Sequence, residues 1–142
     1  MTQEQRELLL KDLCGRLPYG VKFRHKYIND FFHEDYTTDR LKGVLPPYHI
    51  IHSTRGEDDY LNIEEDEVRP YLFPMSSMTE EQKKEYRKAC ELDTEILSKH
   101  PMDGTPFPVL YNSHDWLNKN NFDYRDLIEK GLAIDATDKK IY

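Results

Sequence analysis

The stretch "VKFRHKY", Val21 to Tyr27, decides how the chain is read. Val21, Phe23, His25 and Tyr27 alternate with Lys22, Arg24 and Lys26. A period of two is that of a half-buried strand, with the apolar set inward and the bases toward solvent. Immediately upstream the period is different. Residues 2–17 carry Leu9, Leu10, Leu13, Cys14 and Leu17 at helical spacing, behind a capping box of Thr2 and Gln5, with Gly15 and Pro18 as stop signals. A helix therefore leads into a sheet.

Downstream, "INDFFHEDYTTDR" fits either a packed loop or a hairpin arm. "LKGVLPPYHIIHST" reads as extended on both sides of Pro46-Pro47, a pair that cannot sit inside a ladder and so marks a bend or an edge. "STRGEDD" is a turn signal, and "YLNIE" with "EVRPYLF" adds one or two strands. From Thr79 the period is helical again, opened by a second capping box with Gln82. Glu80–Lys84 and Glu95–Lys99 are spaced as i,i+4 pairs, the apolar stripe is Tyr86, Ala89, Cys90, Ile96 and Leu97, broken by Asp93, and Pro101 is the stop. "MDGTPFPVL" is a proline-rich connector. A final helical pair runs from Ser113 to Gly131, with Asp123 and Gly131 as caps, a small core of Trp116, Phe122, Leu127, Ile128 and Leu132, and "LAI" as a closing strand.

The expected fold is α+β: a small antiparallel β-sheet of three to five short strands, an N-terminal helix and a helical C-terminal part. One domain, residues 1–142, accounts for the length, with helix plus sheet over 1–74 and the helical part over 75–142. The two cysteines, Cys14 and Cys90, form no disulfide framework. No apolar leader and no run of about 18 apolar residues stands in the sequence, so the expected setting is cytoplasmic, with no membrane.

Charge is segregated. Seven of the 27 acids lie between Glu57 and Glu67 without a base, and elsewhere 20 acids match 20 bases. The acidic run lacks the glycine and ligand spacing of a calcium loop; it suits a solvated sheet edge or a contact for a basic partner, with Tyr60, Glu64, Glu65 and Asp66 as candidate contacts. The basic strand Lys22, Arg24 and Lys26, with Tyr27 or His25 nearby, is an alternative contact for single-stranded nucleic acid. The "YRDLIEK" segment does not suit a groove-reading helix, because Asp126 and Glu129 would meet phosphates.

No nucleophile motif or phosphate loop is present, so no catalytic residue and no cofactor are assigned. His49 and His52 sit three apart on an expected strand, hence on opposite faces. A metal-dependent hydrolase around His33, His49 and His52 is the remaining alternative, and no metal ligand is assigned. The favoured reading is a non-enzymatic accessory protein, monomer or homodimer, acting on an unidentified protein partner.

Three segments, "LLLKDLCGRLPYGV", "VRPYLFPMSSMTEEQKKEY" and "DWLNKNNFDYRDLIEKGLAIDA", resemble a recurrent group of short uncharacterised proteins from anaerobic gut bacteria and their phages or integrated elements. The resemblance covers about the first 20 and the last 75 residues, with Lys22 to Glu67 divergent, and the group has glycine where this chain has Asp126. It implies a cytoplasmic protein carried by a phage or mobile element, and transfers no catalytic residue.

Overall fold

The structure, a computed structural model, describes residues 1–54, 56–99 and 112–142. The architecture is α+β. The connector expected at 102–110, the stop at Pro101 and the side chains of Ile96, Leu97 and Lys99 lie outside what is described.

Helix α1 (Gln3–Arg16) starts at its capping box. Thr2 Oγ1 accepts from the Gln5 amide at 3.1 Å, and Gln5 Oε1 accepts from the Thr2 amide at 2.9 Å. Leu9, Leu10 and Leu13 face the core, but Cys14 is exposed and Asp12 and Arg16 are buried in its stead. The reason is an ion pair that spacing alone could not rank above the thiol. Arg16 Nε and Nη2 donate to the two oxygens of Asp12 at 2.7 and 3.0 Å, and Nη2 also donates to the Phe122 carbonyl at 2.6 Å. Gly15 does not stop this helix. A Cβ there would come within 3.1 Å of Asn118, so the glycine lets α1 approach α3 (Asn112–Lys119). The chain continues through a 3-10 turn, Leu17–Tyr19, and leaves it at Gly20, whose φ of +59° is left-handed.

Among the described residues eight strands follow, in two sheets rather than one. The first holds β1 (Lys22–Ile28), β2 (Glu34–Arg40), β6 (Arg69–Pro74), β7 (Phe122–Asp123) and β8 (Ile134–Asp135). Its order is β2-β1-β6-β7, with β8 also on β6. The β1–β2 and β1–β6 ladders are antiparallel, whereas β7 and β8 join β6 in parallel. The second sheet, β3 (Gly43–Leu45), β4 (His49–Thr54) and β5 (Glu57–Asn62), is antiparallel throughout. The ambiguous segment is thus a hairpin arm, β2. Pro46-Pro47 lies in the β3–β4 turn, and the acidic β5 is a sheet edge.

Helix α2 (Glu80–Lys99) also opens on its capping box, Thr79 with Gln82, at 3.1 and 2.9 Å. Asp93, the break in its apolar stripe, accepts from the amides of Asn112 and Ser113 at 3.0 Å each, so it caps α3 from a neighbouring helix.

The second helix of the expected C-terminal pair does not form. Residues 127–131 are successive turns. Asp123 accepts from the Leu127 and Ile128 amides at 2.9 and 2.8 Å, as a cap does, but Asp126 stands at φ +57° and breaks the helical path. Glycine would be unstrained at such a φ. The expected C-terminal mini-core is split. Trp116 and Phe122 pack with Leu117 and Met78, whereas Leu127, Ile128 and Leu132 join the main core with Leu9, Leu13, Phe23, Ile50 and Leu72.

Candidate functional site

Two features stand out where the hairpins meet: a projecting aromatic tip and a buried polar cluster beside an open cleft.

The tip belongs to the β1–β2 hairpin. Asn29 organises it, its Oδ1 accepting from the amides of Phe31 and His33 at 2.9 and 3.1 Å. This turn leaves Ile28, Phe31 and Phe32 exposed to 69%, 80% and 89%. Phe32 has φ +59°, a left-handed backbone that a bulky side chain rarely adopts. Asp30, Glu34 and Asp35, all exposed, rim the tip. Farther along the arm, the Tyr36 hydroxyl donates to Glu67 at 2.6 Å. That bond raises the Tyr36 phenol above its ordinary value and lowers the Glu67 carboxyl, because both prefer the state in which the bond is made.

The polar cluster follows from strand register. On β1, His25 lies two residues from Phe23 and shares its inward face; Phe23 pairs with Asp39 of β2. On β4, Ile50 and His52 share the inward face, and His52 pairs with Asp59 of β5. The inner faces of the two hairpins therefore bring His25, Asp39 and His52 together. His25 Nε2 lies 2.7 Å from Asp39 Oδ2, and His52 Nδ1 lies 3.2 Å from the same oxygen. The imidazoles meet edge to face with centroids 5.0 Å apart, and are 4% and 3% exposed. His25 Nδ1 faces the Lys26 carbonyl at 3.2 Å. His52 Nε2 has no hydrogen-bond partner and sees Asp59 Oδ2 only at 3.9 Å. One ligand atom from each of His25, Asp39 and His52 falls within 4.8 Å of the others. A cleft of about 480 Å³ opens beside them, with Tyr27, Ser53, Asp59 and Asp66 on its walls.

The residues singled out in the sequence distribute unevenly over this geometry. His33 is exposed in the hairpin turn and His49 is exposed on the face of β4 opposite His52, so His33, His49 and His52 do not converge. Strand alternation separated His49 from His52 correctly. The true neighbours of His52 were missed because Asp39 fell in the ambiguous segment and His25 is 27 residues away. The basic strand is not a free row. Lys22 Nζ donates to the Ile141 carbonyl at 2.6 Å, Arg24 lies 4.3 Å from the centroid of Tyr36, and Lys26 Nζ is 3.6 Å from Glu34. Among the acidic candidates, Tyr60 and Glu65 are exposed. Glu64 is held by Arg6 at 2.9 Å and by the Met1 amino group at 3.3 Å, and Asp66 accepts from the Asn62 amide at 2.7 Å.

Among the described residues no helix is long and apolar enough to cross a membrane. The chain matches no protein-family model, no curated protein and no solved structure.

Proposed function

We propose that this chain is a cytoplasmic, non-enzymatic accessory protein, borne by a phage or mobile element, that acts by binding another protein through the β1–β2 hairpin tip. The exposure of Ile28, Phe31 and Phe32 together carries the reading. Apolar groups gathered on a projecting turn, rather than scattered singly, are a feature of contact sites. Phe32 adds weight, because holding a bulky residue at φ +59° costs on the order of 1–2 kcal/mol that glycine would avoid. A cost of that kind is characteristic of functional positions.

The rim defines the partner's chemistry. Asp30 and Asp35, together with Glu34, which Lys26 meets only from one side at 3.6 Å, call for an apolar pocket bordered by lysine or arginine. A second copy of the chain is a poorer occupant, since tip-to-tip pairing would oppose these acids to themselves. The acidic candidates Tyr60 and Glu65 remain available as a secondary contact, whereas Glu64 and Asp66 are occupied within the chain. Binding of single-stranded nucleic acid by Lys22, Arg24 and Lys26 would require each to leave its present partner.

The test is capture from a nuclease-treated host lysate by wild type and by a Phe31→Ser/Phe32→Ser variant, with the mass of the free protein measured in parallel. A stoichiometric protein retained by wild type and lost by the variant is the expected result. Capture indifferent to the tip, or recovery that disappears with nuclease, overturns the reading.

A further inference from the structure

The buried cluster carries an inference of its own, independent of the hairpin tip. Donors and acceptors around it do not balance. Three imidazole nitrogens face oxygen acceptors: His25 Nδ1 the Lys26 carbonyl at 3.2 Å, and His25 Nε2 and His52 Nδ1 the single oxygen Asp39 Oδ2 at 2.7 and 3.2 Å. Two neutral imidazoles own only two N–H groups between them. At least one nitrogen lone pair is then aimed at an oxygen, that of the Lys26 carbonyl or of Asp39, while His52 Nε2, itself buried, has no hydrogen-bond partner. A cation held between the two rings relieves it.

We propose that His25 Nε2, His52 Nδ1 and Asp39 Oδ2 bind one divalent first-row transition ion, of which zinc is the reference case. With the ion in place the count closes. His25 keeps its Nδ1–H for the Lys26 carbonyl, which fixes the tautomer that leaves Nε2 free to ligate. His52 carries its proton on Nε2, directed toward Asp59 Oδ2, now 3.9 Å away. A ligating histidine ordinarily gives its outer N–H to a carboxylate or a backbone carbonyl, and these two rings have one of each. The spacing also suits the ion. Bonds of about 2.0–2.1 Å in a tetrahedron put neighbouring donors about 3.3 Å apart. The Asp39–His52 separation of 3.2 Å already matches, and the Asp39–His25 separation of 2.7 Å must open by about half an ångström. Asp39 can supply that movement, since its side chain is 30% exposed, and His25 Nε2 and His52 Nδ1, within 4.8 Å of each other, must settle to the same spacing. Nitrogen and oxygen donors in this ratio favour a first-row transition ion over calcium or magnesium, which take oxygen. Three protein donors leave a coordination position toward the cleft of about 480 Å³, open to water or to a donor from a bound partner.

The experiment uses the full chain without an affinity tag, stripped with chelator and titrated with Zn²⁺ by calorimetry, and with Co²⁺ followed by visible absorption. One equivalent is expected to bind, with a raised Tm and, for cobalt, a d–d band in the visible. Asp59→Asn, which alters only the outer partner of His52, is expected to weaken the affinity about 10- to 100-fold. Asp39→Asn replaces a charged donor with a neutral amide oxygen and His52→Gln removes the imidazole, and both are expected to weaken it further, while His33→Ala and His49→Ala leave it unchanged. Circular dichroism of each variant establishes that it is folded. Asp39→Asn keeps the shape of the side chain, so it holds the test open if His52→Gln does not fold. Absence of saturable uptake by wild type would mean that a proton alone fills the cluster, and overturns the proposal. Uptake that survives both donor substitutions, or is lost with His33 or His49, places the ion elsewhere and overturns it equally.

Discussion

Among the described residues, Asp12 with Arg16 and His25 with His52 bury polar groups on opposite plans. At the junction of α1 with β7, the Arg16 charge is met by both oxygens of Asp12, by the Phe122 carbonyl and by the face of Tyr124, 5.5 Å from its ring centroid. Both side chains are fully buried, and Arg125 supports Asp12 from the partly exposed side at 3.4 Å. Between the hairpins, by contrast, one carboxylate oxygen serves two imidazoles and a cleft stands open beside them. The first cluster pairs opposite charges, yet Arg16 Nη1 and Arg125 Nε are buried without a hydrogen-bond partner, and a cleft of about 490 Å³ is lined by Tyr124 and Arg125. The second holds more acceptors than donors and faces solvent access. Burial, an unpartnered nitrogen and a neighbouring cleft are common to both. What separates them is the donor set, since among the described residues His25, Asp39 and His52 gather three possible metal ligands within 4.8 Å, whereas an arginine does not ligate a cation.

The sharpest way to break this contrast is to cut each cluster in turn. Asp12→Ala leaves Arg16 charged and buried with its ion-pair partner gone, and should cost about 3–5 kcal/mol in chemical denaturation. Asp39→Asn, measured without metal, should cost only about 1 kcal/mol, because Asp39 is partly exposed and the asparagine can still hydrogen-bond. Equal losses at the two sites would make the second cluster a brace as well.

The hairpin tip extends the contrast to the surface. Phe32→Gly releases the left-handed strain, so the variant should be as stable as wild type or up to about 1 kcal/mol more stable, while partner capture falls. A clear loss of stability would mean that Phe32 packs in the fold rather than serving a partner.

Tyr142 belongs on the braced side, and its effect is the smallest. Its hydroxyl accepts from the Lys22 amide at 3.0 Å and donates to the Tyr71 carbonyl at 2.9 Å. Burial pushes the phenol up to about 12 from 10.0, with the Lys22 backbone bond and nearby arginines opposing the rise. Folding thus favours the neutral phenol. The stability this contributes is present in full below pH 10 and is lost as pH rises toward 12. Wild type should lose stability relative to Tyr142→Phe across that window, and parallel curves would remove Tyr142 from the brace.

The legible parts of the molecule were those decided within a few residues. Both capping boxes formed as read at Thr2 and Thr79, and Pro46-Pro47 became a turn. Of the alternation, Val21 is buried just ahead of β1 and Phe23 and His25 form its inner face, whereas Tyr27, expected inward, is exposed near the hairpin end. What stayed hidden depends on distant partners. Nothing near Arg16 announces that it will find the Phe122 carbonyl, and nothing near Asp93 announces that it will cap α3. The split into two sheets follows from pairings far apart in sequence, as does the meeting of His25 with His52. The missing C-terminal helix has a local cause, since Asp126 occupies a backbone conformation that a helix cannot accommodate.

The central claim, that the His25–Asp39–His52 cluster is a site and not a brace, is tested most directly by the protonation of its rings. Long-range ¹H–¹⁵N spectra of the histidines, recorded before and after one equivalent of Zn²⁺, report which nitrogens carry protons. The metal-loaded protein is expected to keep one proton on His25 Nδ1 and one on His52 Nε2, with the other two nitrogens shifted by metal. Spectra of His25 and His52 that are identical with and without zinc would contradict it.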